Sequence, residues 1–173
     1  MKHSIELYTS RLVLVGAESA SLRAEQIGPE AFATALKATV PTSWPPEHHD
    51  RNVIDWLLKS LETLAPSDPW RMFYMLLRVP LTLIGTCGFK GPPDSTKCVE
   101  VGYSVLPEFR CNGLATEAVM KLISTAFDLG VSEVAAETYP SLIASIRVME
   151  KSGMTFTGVD VDPGTVRYTI QRQ

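Results

Sequence analysis

Hydrophobic and polar positions change period several times along this chain, and each change marks an element. Val99, Val101, Tyr103 and Val105 alternate with Cys98, Glu100, Gly102 and Ser104, the period-two pattern of a strand with two unlike faces. Pro107 ends that run. Ala115, Ala118/Val119, Leu122/Ile123 and Ala126/Phe127 then recur at helical spacing until Gly130, which predicts an amphipathic helix with a glycine stop. Upstream, Arg11–Val15 predicts an opening strand at one edge of the sheet, and Ser19–Ile27 and Glu30–Ala38 predict two short helices split by Gly28-Pro29. Between Thr39 and His49 the prolines Pro41, Pro45 and Pro46 exclude a helix and leave a loop around Trp44. Asp50 is a fitting N-cap for a helix with Val53/Ile54, Leu57/Leu58, Leu61 and Leu64 on one stripe.

Trp70–Arg78 and Leu81–Lys90 predict an antiparallel pair turning at Val79-Pro80, and Gly91–Asp94 a further turn into the strand of Glu100. After the long helix come a strand over Glu133–Thr138, a helix from about Ser141 to Ser152 stopped by Gly153, and a closing pair turning around Asp162-Pro163-Gly164. This order is α+β rather than a strict βαβ alternation. A length of 173 residues at 45% hydrophobic content suits a single domain over 1–173, with no repeat or linker.

Composition mainly excludes. A net charge of -3 leaves no electrostatic footprint for nucleic acid. Nowhere do about 18 apolar residues run together as a membrane helix requires, and Met1–Tyr8 lacks the apolar segment of a signal peptide. Cys87, Cys98 and Cys111 form no C-x-x-C pair, so neither a disulfide framework nor a zinc site is expected, and a reducing cytoplasm fits. His48 and His49 beside Asp50 lack a third ligand at a recognised spacing, so they are assigned to the loop and no metal is expected.

The stretch with the most chemistry is Arg110–Thr116, which closes one strand and opens the long helix. Unpaired N–H groups of a first helical turn, with the positive end of the helix dipole, make such a loop an anion site. Arg110 would add a charge, Gly113 would let the backbone approach a diphosphate, and small Ala115 would keep the next turn clear. A plain strand, turn and helix carries the same periodicities, so the pattern alone leaves both readings open. The stretch is neither a P-loop nor the glycine-rich dinucleotide turn.

Arg110-x-x-Gly113-x-Ala115 resembles the acyl-coenzyme A signature of the GNAT superfamily of N-acetyltransferases, Arg/Gln-x-x-Gly-x-Gly/Ala. The flanking Val-Glu-Val-Gly-Tyr-Ser-Val-Leu-Pro-Glu-Phe-Arg and Leu-Ala-Thr-Glu-Ala resemble its RimJ/RimL-like branch. A second block, from Glu137 through Pro140, Ala144-Ser145 and Lys151 to Gly153-Met154, is similar to the family's Pro-x-Asn-x-Ala-Ser segment and its Lys-x-Gly-Phe end. Similarity is close from about Gly88 to Met154 and loose in the N-terminal third. Two departures stand out: Leu142 replaces the usual Asn and can neither donate to nor accept from a pantetheine arm, so that contact either falls to Ser141 or is lost with some cofactor affinity, and Cys111 stands where Gly is common, in a loop that needs its amide rather than its side chain.

The resemblance implies the GNAT acyl-CoA N-acyltransferase fold: a mixed, mostly antiparallel sheet, flanked by helices and splayed at the parallel strands of Glu100 and Thr138. It implies acetyl-CoA as cosubstrate on Arg110, Cys111, Asn112, Gly113, Leu114, Ala115 and Thr116, with the amides of Val105 and Leu106 pairing with the pantetheine. A backbone N–H of a bulge near Tyr103 would polarise the thioester carbonyl, and Ser145 would protonate the departing thiolate. A serine bonded to its own helix backbone is the competing reading of Ser145. Glu100, beside Gly102 on one strand face, is the candidate to take the amine proton, with Glu137 in reserve; the alternative for Glu100 is a solvated strand residue. Glu117 is assigned to the helix start rather than to catalysis. Trp44 either covers the acceptor side of the cleft or plugs a gap between helix and sheet. The acceptor is a primary amine, a peptide N-terminus or a small molecule, and no oligomeric state is implied. The rival is a catalytically silent acyl-CoA-binding or interaction module, which Leu142 keeps open.

Overall fold

A computed structural model describes residues 5–65, 67–159 and 164–173. Eight strands form one sheet: β1 (Glu6–Tyr8), β2 (Leu12–Gly16), β3 (Met72–Arg78), β4 (Leu81–Phe89), β5 (Cys98–Val105), β6 (Glu133–Thr138), β7 (Thr155–Val159) and β8 (Val166–Gln171). Their spatial order is β1-β2-β3-β4-β5-β6-β8-β7. The helices are α1 (Ser19–Ile27), α2 (Pro29–Leu36), α3 (Arg51–Leu61), α4 (Leu114–Asp128) and α5 (Ile143–Lys151).

Strand alternation sorts the core into two layers. Val99, Val101 and Val105 of β5, with Leu12, Phe73 and Ile84, pack against the α4 stripe of Ala118, Val119, Leu122 and Ala126 and against Met149 of α5. On the other face Val13, Tyr74, Leu76 and Leu83 meet Leu22 of α1, Phe32 of α2, and Ile54 and Leu57 of α3. The sheet is thus sandwiched between α4/α5 and α1–α3. Asp50 caps α3 as its sequence position predicts, accepting from the amides of Asn52 and Val53 at 2.9 and 3.1 Å.

Every neighbouring pair of strands is antiparallel except β5 and β6. That parallel pairing covers only Cys98–Glu100 against Glu133–Ala135. Beyond it the two strands part, so the expected splay is present, and it opens toward the end of β5 that feeds α4.

Three expectations are corrected. The strand after Arg11 is not an edge, because Glu6–Tyr8 adds β1 outside it; that three-residue strand is too short to show a period. No bulge occurs at Tyr103, since β5 pairs with β4 residue for residue from Val101 to Val105. The slip lies one strand away, where Met75 pairs with Gly85 but Leu76 with Leu83, leaving Ile84 as the extra residue. Leu64, expected on the α3 stripe, lies beyond the helix end at Leu61. The turn expected at Asp162-Pro163 falls outside the described residues, although the strands it would join, β7 and β8, do pair.

Candidate active site

The loop after β5 turns through two left-handed residues, Cys111 at φ 62° and Gly113 at φ 73°, before α4 begins. Glu117 N–H to Gly113 O, at 3.0 Å, is the first bond of the helix. Among the described residues, the six consecutive amides of Cys111, Asn112, Gly113, Leu114, Ala115 and Thr116 have no protein acceptor, and no side chain caps the helix. A run of open amides at the positive end of a 15-residue helix can serve as an anion cradle built from backbone. Left-handed Gly113 takes a conformation that side chains disfavour, so a bulky residue there would strain the loop as well as fill it. The same conformation at Cys111 explains why glycine suits that position: the loop asks for a backbone angle, not only an amide.

The side chains around the cradle are arranged differently from expectation. Arg110 folds back, its Nε donating to Val105 O at 2.8 Å and its Nη2 lying 3.4 Å from Glu47 Oε2. Asn112 also turns inward, its Nδ2 donating to the carbonyls of Phe109 and Arg110. The cation beside Gly113 is instead Arg11. Its Nη1 donates to Asn112 O at 2.9 Å, and its Nη2 stands 3.6 Å from where a Cβ on Gly113 would lie. Glu117 holds it there. Oε2 accepts from Arg11 Nε at 2.6 Å, while Oε1 accepts from Thr9 Oγ1, Ser10 Oγ and the Arg11 amide at 2.6, 3.0 and 2.9 Å. Burial pushes the Glu117 carboxyl up, but these donors outweigh it and hold its pKa at about 2. Glu117 is thus a clamp between the β1–β2 turn and the first turn of α4. No local sequence pattern reveals it, because the partners are 106 to 108 positions apart.

Within the splay, β5 presents backbone at regular intervals. Lys90 N–H to Glu100 O and Leu106 N–H to Ile84 O, both 2.9 Å, fix the phase: residues 100, 102, 104 and 106 bond toward β4. By alternation the N–H groups of Tyr103 and Val105 point the other way, into the gap beside β6. The Leu106 amide, expected in the gap, is therefore committed to the sheet. The Tyr103 side chain reaches α5, its hydroxyl donating to Ser145 O at 2.9 Å and lying 3.0 Å from Ser145 Oγ. Burial, moderated by the Ser145 contact, pushes the Tyr103 phenol up to about 12. The hydroxyl of Ser145 thus meets Tyr103 across the gap rather than its own helix backbone.

Glu100 points to the opposite face of β5. The Lys90 ammonium sits against its Oε1, which is buried and has no partner with hydrogen-bond geometry among the described residues. The space left by Gly102 is bordered by the same lysine, whose Cε would lie 3.9 Å from an added Cβ. Glu137, the reserve carboxylate, is only 3% exposed and already bound to Arg167 Nη1 at 2.7 Å and Thr165 Oγ1 at 3.2 Å. Trp44 is held by packing. Its ring lies 5.5 Å from Phe32 and 6.2 Å from Tyr74, and its Nε1 donates to Glu25 Oε1 at 2.7 Å. The same buried Glu25 is bonded to His49 Nε2 and to the Tyr74 hydroxyl, both at 2.9 Å. A crevice of about 190 Å³ lined by Trp56, Leu61, Trp70 and Met72 shares Lys90 with this region.

A family model described as the acetyltransferase (GNAT) domain matches residues 21–155. The chain belongs to the GNAT acetyltransferase family. The uncharacterized N-acetyltransferase YoaA of Bacillus subtilis is 37% identical over 78 residues, 44% of each chain. The chain covers less than half the length of the curated relatives it matches. Among solved structures, a GNAT-family acetyltransferase from Bacillus anthracis superposes with a TM-score of 0.66 at 20% identity, covering 96% of this chain and 98% of its own. RimL, a ribosomal alpha-N-protein acetyltransferase solved with coenzyme A, gives 0.70 at 14% identity, covering 96% and 98%. The expected family and fold are both borne out. Among the described residues of this GNAT domain no helix is long and apolar enough to cross a membrane.

Proposed function

We propose that this single GNAT domain transfers the acetyl group of acetyl-CoA to a primary amine by direct attack in a ternary complex. The observation that carries the reading is the run of six open amides from Cys111 to Thr116, placed where β5 parts from β6. A diphosphate fits such a cradle because its charge meets N–H groups that have no other acceptor. The pantetheine arm would then run along β5, where the Val105 amide faces the gap.

Attack and departure would occur on opposite faces of β5. Glu100 takes the ammonium proton on the α3 side, directly or through water, so that the neutral amine adds to the thioester carbon. The Tyr103 N–H in the gap stabilises the oxyanion. Collapse breaks the C–S bond, Ser145 gives its proton to the thiolate, and the new amide nitrogen releases its second proton to water. A phenol pushed up to about 12 stays protonated at neutral pH, so the Tyr103 hydroxyl can pass its own proton to Ser145 and regain one from water. The acceptor is a peptide N-terminus or a small amine, the former supported by the fold shared with RimL. A cytoplasmic setting suits the free cysteines Cys87, Cys98 and Cys111.

A silent acyl-CoA-binding module is the second reading, favoured by Leu142, which begins α5 without a side-chain cap. Thiol release from acetyl-CoA with a panel of amines and peptides separates the two. Turnover with any acceptor supports the enzyme, and none with tight coenzyme A binding supports the module. In single turnovers Ser145→Ala should slow the chemical step by about 10- to 100-fold; an unchanged rate removes Ser145 from the mechanism.

A further inference from the structure

Resting on the cradle assignment above, we infer that Arg11, not the signature residue Arg110, is the side chain that binds the diphosphate of the cosubstrate. An anion cradle of open amides gains most from a guanidinium whose remaining donors point into it. Arg110 does not meet that description: its Nε is spent on Val105 O, and Glu47 lies against its Nη2. Arg11 does. Its Nε and Nη1 are fixed by Glu117 and Asn112 O, which leaves Nη2 beside Gly113 with no hydrogen-bond acceptor among the described residues. The side chain is still 48% exposed, so a ligand can reach it.

Glu117 makes the arrangement rigid. Its four accepted bonds tie the Thr9–Arg11 turn to the first turn of α4, so the guanidinium is already oriented before any ligand arrives. It also reverses the usual effect of an acid near an anion site, since its charge is consumed by donors and its geometry aims the arginine. Glu117 is thereby a positioning residue for Arg11, and the β1–β2 turn, far from the signature in sequence, becomes part of the cosubstrate site.

The test compares ligands with and without phosphates on one folded protein. For Arg11→Met, calorimetry should show coenzyme A and 3′-dephospho-coenzyme A weakened alike, by about 10- to 100-fold, because both keep the diphosphate. The kcat/KM for S-acetylpantetheine, which has no phosphate, should be unchanged. Glu117→Gln should weaken the two nucleotides in the same pattern but less, and Arg11→Lys should recover part of the affinity. Loss confined to coenzyme A would place Arg11 on the 3′-phosphate and overturn the assignment. Equal loss with S-acetylpantetheine would reduce Arg11 to a structural role and overturn it too. Amide shifts of residues 111–116 on adding coenzyme A to the wild type keep the two levels apart. If they move while Arg11→Met binds normally, the arginine inference alone fails; if they do not move, the cradle reading fails with it.

Discussion

On the α4 side of β5 the polar groups that matter are backbone amides left open, from Cys111 to Thr116. On the α3 side they are side chains that hold one another: Glu100 with Lys90, and Glu137 with Arg167 and Thr165. The first region is ready for a ligand of one chemistry, an anion. The second must give up or share an existing contact before it can receive a cation. On the proposed reading, recognition of the cosubstrate would be built into the chain path, whereas recognition of the acceptor would depend on pairings that can be exchanged.

The sharpest way to break that contrast is Glu100→Gln. If Glu100 takes the amine proton despite Lys90, kcat should fall by about 100-fold at neutral pH with the coenzyme A dissociation constant unchanged. The deficit should narrow as pH approaches the acceptor's own pKa, about 8 for a peptide N-terminus and about 10.4 for an alkylamine, where free amine no longer needs a base. A loss independent of pH would mean that the Lys90–Glu100 pair orients the acceptor without moving a proton.

Trp44→Ala tests whether the loop on the α3 side is scaffold or acceptor mouth. The ring contacts with Phe32 and Tyr74 and the bond to Glu25 predict scaffold. Truncation should cost about 3 kcal/mol and lower Tm by roughly 6–12 °C, with coenzyme A affinity retained. A raised acceptor KM at unchanged Tm would return Trp44 to the acceptor.

The contrast between the two regions also explains how much was legible in the sequence. Strand and helix periods around Arg110–Thr116 are local, and so are the glycine at 113 and the start of α4, so the loop and its helix are legible in the sequence, while its reading as a cradle rests on family resemblance. The sheet order and its splay came through family resemblance. What stayed hidden joins distant segments: Arg11 with Glu117, Glu25 with Trp44 and His49, Lys90 with Glu100. Side-chain pairing of this kind leaves no period. It is the reason the sequence points to Arg110 as the cation of the loop while the fold turns that side chain toward Glu47.

Glu117→Gln sharpens the cradle side through pH. A carboxyl at about 2 in the folded chain, against an ordinary 4.5, stabilises the fold fully above 4.5 and loses that contribution as pH falls toward 2. Wild-type Tm should therefore drop through that window by more than Tm of Glu117→Gln, which lacks the group. At neutral pH the variant should be about 2 kcal/mol less stable, the range of hydrogen bonds to a charged group. Parallel pH profiles for the two proteins would show that the clamp contributes nothing.

The smallest effect expected is a gain. Cys111 is exposed and adopts φ 62°, a conformation that costs a side-chain-bearing residue about 1–2 kcal/mol. Glycine escapes that cost but loses roughly 0.5–1 kcal/mol more chain entropy on folding. Cys111→Gly should therefore stabilise the domain by up to about 1 kcal/mol, visible as a Tm rise of a few degrees. The amide stays in place, so coenzyme A affinity should hold or improve as the loop relaxes. Cys111→Val, with a branched side chain at the same angle, should move both quantities the other way. If the glycine variant loses affinity while gaining stability, the strain at Cys111 is part of what aims the amides, and the cradle is a loaded geometry rather than a resting one.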